Sequence, residues 1–299
     1  MKHVIDSGFL SMLEAWDLHI QKPMRGLFGG NRRSAFKGSS AEFADFREYA
    51  AGDDLRRIDW NLYARFEKLY LKLFVDERQL HHRIYLDTSA SMDWGEPRKK
   101  SETALRLAAA LGFLSVKALD RVSFFALRDD ACIDLCRTVV GRDAFYRVAE
   151  TLNDVPFGGE CRMDRAVTSQ ENPGLEDGVS VIISDFFSDD EWKTAVDYLL
   201  GHRRQVALVQ VLSRDEVEPG FGGKMLLLDA EAPEREDERN VRFEITRSTL
   251  KAYKEAVAYH QNELRRFCAN RGVSFFSLCT DENPEEEFFR KGSEEGLVQ

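Results

Sequence analysis

The chain has 299 residues, of which 43% are apolar and 11% aromatic, and this is enough to bury a substantial core. Its net charge of -10 excludes a surface that is basic throughout, so we expect no nucleic-acid partner and favour an acidic protein-binding surface. Five cysteines without C-x-x-C spacing exclude a disulfide framework and a thiolate zinc site.

The first residues contain neither a signal-peptide pattern nor an apolar run long enough to span a bilayer. We therefore expect no membrane span and a cytoplasmic location. Residues 4–20 carry apolar side chains at three- and four-residue spacing, which predicts a short amphipathic helix. The basic stretch at 22–37 is either a solvated loop or a patch that contacts polyanions. Its basic side chains are Lys22, Arg25, Arg32, Arg33 and Lys37.

From residue 82 onwards, short apolar runs alternate with helical patterns, which is typical of a parallel sheet covered by helices. The predicted strands are HRIYLD, RVSFFAL, CIDLCRTV, GVSVIIS, QVALVQVL and VSFFSL. Helices are predicted over 100–119, 142–153, 190–200 and 246–271, and a hairpin with a charged tip over 224–245. We predict an open, doubly wound, mostly parallel α/β domain over 80–299 with this hairpin as a C-terminal insertion. A helical and extended segment over 1–79 precedes it.

Acidic and hydroxyl side chains follow the ends of two predicted strands. Asp87 ends HRIYLD, Ser89 and Ser91 follow at steps of two, and Asp185 closes the strand in GVSVIISD. Ligands of open parallel sheets bind at the carboxyl ends of strands where the strand order reverses, so these side chains are expected to share one crevice. Such oxygen ligands suit Mg²⁺ or Mn²⁺ better than zinc. The alternative is local, with Ser91 capping a turn and Asp87 accepting backbone N–H bonds.

Two sets of residues resemble known families. The stretches DTSASM and IISDFF resemble a von Willebrand factor A (Rossmann-like) domain with its metal-ion-dependent adhesion site. A more specific upstream signature resembles the domain of unknown function 58 family, which consists of bacterial proteins often encoded beside MoxR-type AAA+ ATPases. Its residues here are Arg47, Tyr49, Gly52, Asp53, Arg56, Ile58, Asp59, Trp60, Ala64 and Arg65.

The resemblance implies metal roles for Asp87, Ser89 and Ser91, and a water-mediated role for Asp185. The middle loop departs from the family pattern. Where that pattern has a threonine hydroxyl after a glycine pair, this chain reads GGECRMDRA and presents Cys161 or, by a shifted alignment, Glu160. A thiol is a poor ligand for Mg²⁺, although the carboxylate of Glu160 or Asp164 offers a substitute.

The signature stretch GDDLRRIDW combines a glycine turn with acids, arginines and an indole. One hypothesis is structural: ion pairs of Arg56 with Asp59 and of Asp53 with Arg65 lock the segment against the α/β domain, with Trp60 as a buried anchor. The other hypothesis is an interface in which a partner contacts the same arginines.

The leading functional hypothesis is a non-enzymatic interaction module, whose metal-edge crevice or its degenerate remnant docks a protein partner. The resemblance implies a MoxR-type AAA+ ATPase acting in the assembly or maturation of a protein complex. The alternative is a Mg²⁺-dependent phosphatase of haloacid-dehalogenase type with Asp87 as the nucleophile. Such enzymes carry a general acid two residues later, and that position is Ser89.

Overall fold

The structure is a computed structural model. It describes residues 4–19, 41–50, 53, 55–76, 80–170, 178–188, 191–220, 222–227, 230–231, 241–281, 283 and 286–288. The described residues form two compact units, one made of those between 41 and 76 and the other of residues 4–19 together with those from 80 onwards. The basic stretch at 22–37 and most of the predicted charged hairpin tip lie outside the described residues.

The described part of the chain contains strands and helices of both units, numbered in chain order. The strands are β1 (Ala41–Glu48), β2 (Tyr70–Asp76), β3 (His81–Asp87), β4 (Arg121–Arg128), β5 (Ala131–Val139), β6 (Val179–Ser184), β7 (Gln205–Leu212), β8 (Gly223–Leu227), β9 (Val241–Ile245) and β10 (Ser274–Cys279). The helices are α1 (Ser7–His19), α2 (Trp60–Phe66), α3 (Lys100–Lys117), α4 (Arg142–Asn153), α5 (Met163–Thr168), α6 (Glu191–Gly201), α7 (Arg214–Val217) and α8 (Arg247–Arg271).

The main sheet of the larger unit has the strand order β10-β7-β6-β3-β4-β5. All neighbouring pairs are parallel except β4 and β5, which form an antiparallel edge. The chain moves from β3 outwards to β4 and β5, and then returns to the other side of β3 to add β6, so the order reverses between β3 and β6. This confirms the predicted open, doubly wound, mostly parallel α/β fold. The predicted hairpin is the antiparallel pair of β8 and β9.

Both faces of the sheet are covered, which explains why its central strands are almost continuously apolar. All of β6 is buried, and alternate residues of β3 contribute to two different clusters. Ile84 and Leu86 pack with α3 and α4 on one face, whereas Tyr85 packs with α5, α6 and α8 on the other. None of the helices in the described part of the chain is both long and apolar enough to cross a bilayer.

Helix α1 belongs to the α/β unit, although the sequence grouped it with the segment over 1–79. Its residues Phe9 and Leu13, together with Ile5 just before the helix, join the same apolar cluster as α3 and α4. The side chain of Asn153 also accepts from the Ile5 N–H at 2.9 Å and donates to the Ile5 carbonyl at 3.0 Å. The physical reason is that the apolar stripe of this helix needs a surface to cover, and the face of α3 and α4 provides one.

The smaller unit is built on an antiparallel pair of β1 and β2, whose register shifts between Phe43 and Asp45. Between the two strands lie a short 3₁₀ turn, Leu55–Arg57, and α2. Asp59 is the N-cap of α2 and accepts the backbone N–H groups of Asn61 at 2.9 Å and Leu62 at 3.2 Å. Such a cap satisfies donors that the first turn of a helix leaves unpaired.

The contact between α3 and β4 is tested by replacing Gly112 with alanine. A methyl group at this buried position of α3 would overlap the ring of Phe124 and lie 3.2 Å from the ring of Phe145. We expect Gly112→Ala to lower the free energy of unfolding by about 2 kcal/mol because the core is overpacked. Urea unfolding followed by circular dichroism measures the change.

Gly201→Ala is the matched control, since Gly201 ends α6 and nothing lies within 4 Å of an added methyl group. Its stability should be unchanged or slightly higher, because alanine is the better helix former. Equal losses in the two variants would contradict the close packing of α3 on β4.

Candidate functional site

The candidate site lies at the carboxyl ends of β3 and β6, where the strand order reverses. Leu86 pairs with Ile183 in the parallel ladder, so the next residues of the two strands, Asp87 and Ser184, are neighbours. The hydroxyl of Ser184 donates to Oδ2 of Asp87 at 2.6 Å. Asp185 follows directly, and both carboxylates are buried. The sheet therefore brings the two predicted acids to one crevice.

The predicted serines complete one wall of this crevice. Ser89 donates its backbone N–H to Oδ1 of Asp87 at 3.0 Å, and its hydroxyl lies 3.0 Å from the hydroxyl of Ser91. Both serines belong to the tight turn that follows β3, which continues as the 3₁₀ turn Ala90–Asp93. Asp87, Ser89 and Ser91 thus form an oxygen-rich cluster.

The middle loop supplies Cys161 next to Asp87. Two backbone hydrogen bonds hold this loop against the turn after β3, from Gly158 N–H to the Thr88 carbonyl at 2.9 Å and from Ala90 N–H to the Gly159 carbonyl at 3.0 Å. Burial first, and then the negative charge of Asp87, raise the pKa of the Cys161 thiol, so the thiol stays protonated. A protonated thiol is not a ligand for a hard cation.

The two acids proposed as substitutes have other neighbours. Glu160 lies 3.9 Å from the guanidinium of Arg162. Asp164 is in the first turn of α5, and its charge contributes, after burial, to raising the pKa of Glu191. The residue of the middle loop that contacts Asp87 is therefore Cys161.

A buried lysine that the sequence reasoning missed occupies the other wall. The side chain of Lys100 is fully buried, and its Nζ lies 2.7 Å from Oδ2 of Asp185 and 2.5 Å from Oε1 of Glu216. The second oxygen of Glu216 accepts the backbone N–H of Ser213 at 2.8 Å, in a capping box at the start of α7. Asp185 also accepts the backbone N–H of Phe187 at 3.1 Å. Lys100 thus joins the ends of β6 and β7 to the start of α3.

Two local signals in the sequence mark the residues of this ion pair. Lys100 is the first residue of α3, where the positive end of the helix dipole disfavours a cation. The stretch SRDE after β7 has the spacing of a capping box, which fixes the position of Glu216. Neither signal identifies its partner, because the two residues are 116 positions apart.

Burial dominates the electrostatics of the crevice. It raises the pKa of Asp87, and the nearby charge of Asp185 raises it further, while hydrogen bonds from Ser184 and Ser89 act in the opposite direction. Burial also acts to lower the pKa of Lys100, but the charges of Asp185 and Glu216 outweigh it and raise that pKa above its ordinary value. The ammonium of Lys100 is therefore charged at neutral pH.

Exposed aromatic side chains lie at the rim of the crevice. Trp94, which follows the 3₁₀ turn, is 58% exposed, and Phe187, two residues after Asp185, is 42% exposed. The ring of Phe187 lies 5.7 Å from that of His260 and 6.0 Å from the Lys100 ammonium. Its neighbour Phe186 is fully buried and has a left-handed backbone conformation, with a φ of 57°.

The residues of the crevice do not fit a complete magnesium or manganese site. Asp87, Ser89 and Ser91 offer the oxygen ligands that such an ion prefers. However, Asp185 is already paired with an ammonium, and next to Asp87 the middle loop presents Cys161 where a hydroxyl is needed. In the part of the chain that the structure describes, no group of three or more His, Cys, Asp or Glu side chains is arranged to hold a metal.

The family signature lies in the smaller unit, and the observed contacts of its residues differ from the predicted ones. Asp53 pairs with Arg47 at 2.8 Å instead of Arg65, because the turn after β1 brings Arg47 and Asp53 together. Hydrogen bonds from Arg47 and from the Ala50 N–H lower the pKa of Asp53. The prediction that Trp60 is buried is wrong, since this side chain is 63% exposed and contacts Tyr63 edge to face.

The remaining signature residues are distributed over the same unit. Ile58 is buried and bridges to Leu71, whereas Arg56, Ala64 and Arg65 are exposed. The Tyr49 N–H donates to the Leu69 carbonyl at 2.9 Å, and Gly52 lies outside the described residues. The predicted locking of this segment against the α/β domain stays a prediction.

Comparison with known proteins gives matches at the level of sequence and of structure. Residues 45–263 match the family described as "Protein of unknown function DUF58". The uncharacterized proteins Mb1516 of Mycobacterium bovis and Rv1480 of Mycobacterium tuberculosis are each 26% identical over 280 residues, covering 92% of this chain and 86% of theirs.

Among solved structures, the SpRpn10 VWA domain matches with a TM-score of 0.40 and 8% identity, over 72% of this chain and 95% of that domain. An uncharacterized membrane-spanning protein from Vibrio fischeri matches with a TM-score of 0.25 and 12% identity, over 71% of this chain and 98% of that one.

We expect the two acids of the crevice to affect stability in opposite directions. Asp87→Asn removes a buried carboxylate whose ionised form is costly, so at neutral pH it should raise the free energy of unfolding. Asp185→Asn leaves the buried ammonium of Lys100 with one carboxylate fewer and should lower that free energy by on the order of 3 kcal/mol. Urea unfolding of both variants at neutral pH measures the difference.

The pH dependence separates the Asp87 effect from nonspecific changes. The pKa of Asp87 is raised in the folded state. The wild-type chain therefore gains stability relative to Asp87→Asn as pH falls towards the ordinary pKa of 3.8. The advantage of Asp87→Asn should therefore shrink on acidification and vanish below that pH. An advantage that persists in acid, or a loss at neutral pH, would contradict the assigned electrostatics.

Proposed function

The chain belongs to the DUF58 family of proteins of unknown function, and on this premise we propose that its von Willebrand A-like α/β unit is a non-enzymatic protein-interaction module. The observation that carries the proposal is the pair of exposed aromatic side chains, Trp94 and Phe187, at the rim of a polar crevice. Exposed aromatic side chains are enriched at protein interfaces, and truncating those that act as hot spots costs much of the binding energy.

The position of both aromatic residues is defined by the fold. The carbonyl of Trp94 accepts the backbone N–H of Lys100 at 2.8 Å, which ties the loop after β3 to the first residue of α3. Phe187 follows a buried residue, and its backbone N–H donates to the side chain of Asp185, so its position is set by the end of β6. Because these anchors are held in place, little conformational freedom is lost when a partner binds.

The contacts of Asp87 support binding rather than phosphoryl transfer. Its two oxygens accept hydrogen bonds from the Ser89 N–H and the Ser184 hydroxyl. A phosphatase of haloacid-dehalogenase type needs an acid two residues after its nucleophile, and Ser89 stands at that position. A buried acid that orders the surrounding loop through hydrogen bonds suits a docking surface.

For the partner, the family resemblance supports a MoxR-type AAA+ ATPase acting in the assembly or maturation of a protein complex. In this proposal the ATPase contacts the crevice and its aromatic rim. The chain would link the ATPase to its target and would need no catalytic group of its own.

The proposed interface is tested with a purified MoxR-type AAA+ ATPase. We expect Trp94→Ala and Phe187→Ala each to weaken the complex about tenfold, because each removes an aromatic anchor at the rim. Surface plasmon resonance measures the Kd of each variant. Tyr146→Ala is the matched control, since Tyr146 is a similarly exposed aromatic residue on α4 that contacts Glu14.

The possible results test the location of the interface and the identity of the partner separately. An unchanged Kd in both rim variants would contradict the proposed location. A wild-type chain that does not bind the ATPase would contradict the choice of partner. Equal weakening by the Tyr146 control would show that the loss does not come from the rim.

A further inference from the structure

The buried ion pair of Lys100 calls for an explanation beyond stability. A lysine side chain is seldom fully buried, because its ammonium loses its hydration. Here the ammonium is buried at the first residue of α3, where the helix dipole adds a second unfavourable contribution. Two carboxylates within hydrogen-bond distance, those of Asp185 and Glu216, offset both costs. The structure therefore specifies a positive charge at this position.

The location of this charge conflicts with a divalent cation. An ion held by Asp87, Ser89 and Ser91 would need the neighbouring carboxylate of Asp185 to balance its charge. That carboxylate already accepts the Lys100 ammonium through one oxygen and the Phe187 N–H through the other. An ion bound beside the ammonium would meet a like charge in a buried setting, where such repulsion is strong.

The side chain that the middle loop offers is also unsuitable. Cys161 is the residue of this loop next to Asp87, and a thiol is a poor ligand for a hard divalent ion. The crevice thus lacks a hydroxyl ligand on one wall and has a resident cation on the other. Both differences act against binding a divalent ion.

We propose that the Lys100 ammonium takes the place of a divalent cation in this crevice, so that the buried carboxylate of Asp185 is paired and the site binds its partner without a metal. Glu216 holds the ammonium from the end of β7, and Asp185 holds it from the end of β6. This inference rests on the proposed function for the claim that the crevice binds a partner. The position of the cation can be tested on the purified chain alone.

The test is a titration with Mn²⁺, followed by calorimetry and by the electron paramagnetic resonance signal of the free ion. We expect the wild-type chain to show no saturable binding in the millimolar range. Lys100→Met keeps an unbranched apolar stem, removes the charge and frees Asp185. This variant should bind Mn²⁺ saturably, with a Kd about tenfold or more below the millimolar range in which the wild-type chain does not saturate, and added Mn²⁺ should raise its Tm by mass action.

Lys99→Met is the matched control, because Lys99 precedes Lys100 in sequence but its side chain is half exposed and pairs with Asp93 at 2.8 Å. It should behave like the wild-type chain towards Mn²⁺. Should Lys100→Met fail to fold, the double variant Lys100→Met/Glu216→Gln removes one carboxylate together with the ammonium and leaves fewer unpaired charges. The same gain in Mn²⁺ binding is expected of it.

Two results would overturn the proposal. Saturable binding of Mn²⁺ to the wild-type chain, with the affinity of Lys100→Met or tighter, would show that the ammonium does not exclude the ion. A folded Lys100 variant with no gain in binding would show that the ammonium is not standing in for an ion. Neither result bears on the rim variants Trp94→Ala and Phe187→Ala, so the interaction proposal stands or falls separately.

Discussion

The parallel pairing of β3 with β6 determines where the other parts of the α/β unit lie. Because β6 joins the side of β3 opposite to β4, the connections on the two sides of this pair cover different faces of the sheet. The same reversal leaves the ends of two buried strands next to each other without a crossing connection between them. This geometry brings Asp87 and Asp185 together, although they are far apart in the sequence.

Burying two acids next to each other is costly because both carboxylates lose hydration and repel each other. The surrounding residues offset this cost differently for each acid. Asp87 is accommodated by neutral donors, the Ser89 N–H and the Ser184 hydroxyl. Asp185 is accommodated by a full positive charge from Lys100. The acids are therefore not equivalent, and the crevice has a neutral polar wall and an ionic wall. In the proposed interaction, a partner would be recognised by shape and hydrogen bonding at the first wall, with the second wall serving as a fixed support.

Much of the fold could be predicted, because buried parallel strands appear in the sequence as short, nearly continuous apolar runs. Runs such as HRIYLD and GVSVIIS are apolar on both faces, and each ends in a polar residue at the sheet edge. That pattern also brought Asp87 and Asp185 into one predicted crevice. The ion pair of Lys100 with Glu216 was not predictable, since it depends on how α3 and α7 approach each other at the ends of non-consecutive strands.

The smaller unit shows a different limit of sequence reasoning. A large indole is more often buried than exposed, and that tendency suggested Trp60 as an anchor. In the structure the N-cap at Asp59 fixes the start of α2, and the short helix has too little partner surface to cover both Trp60 and Tyr63. The partner of Asp53 was decided locally by the turn after β1, whereas the prediction assumed a helix-borne arginine.

The packing of α1 makes the α/β unit discontinuous in sequence. The chain starts this unit, leaves it to build the unit of β1 and β2, and returns at β3. The smaller unit is therefore an insertion that is tethered at both ends, and cutting one connection would not release it. A truncated chain that began at residue 80 would lack Ile5, Phe9 and Leu13, which cover part of the apolar core. It would expose an apolar surface and self-associate.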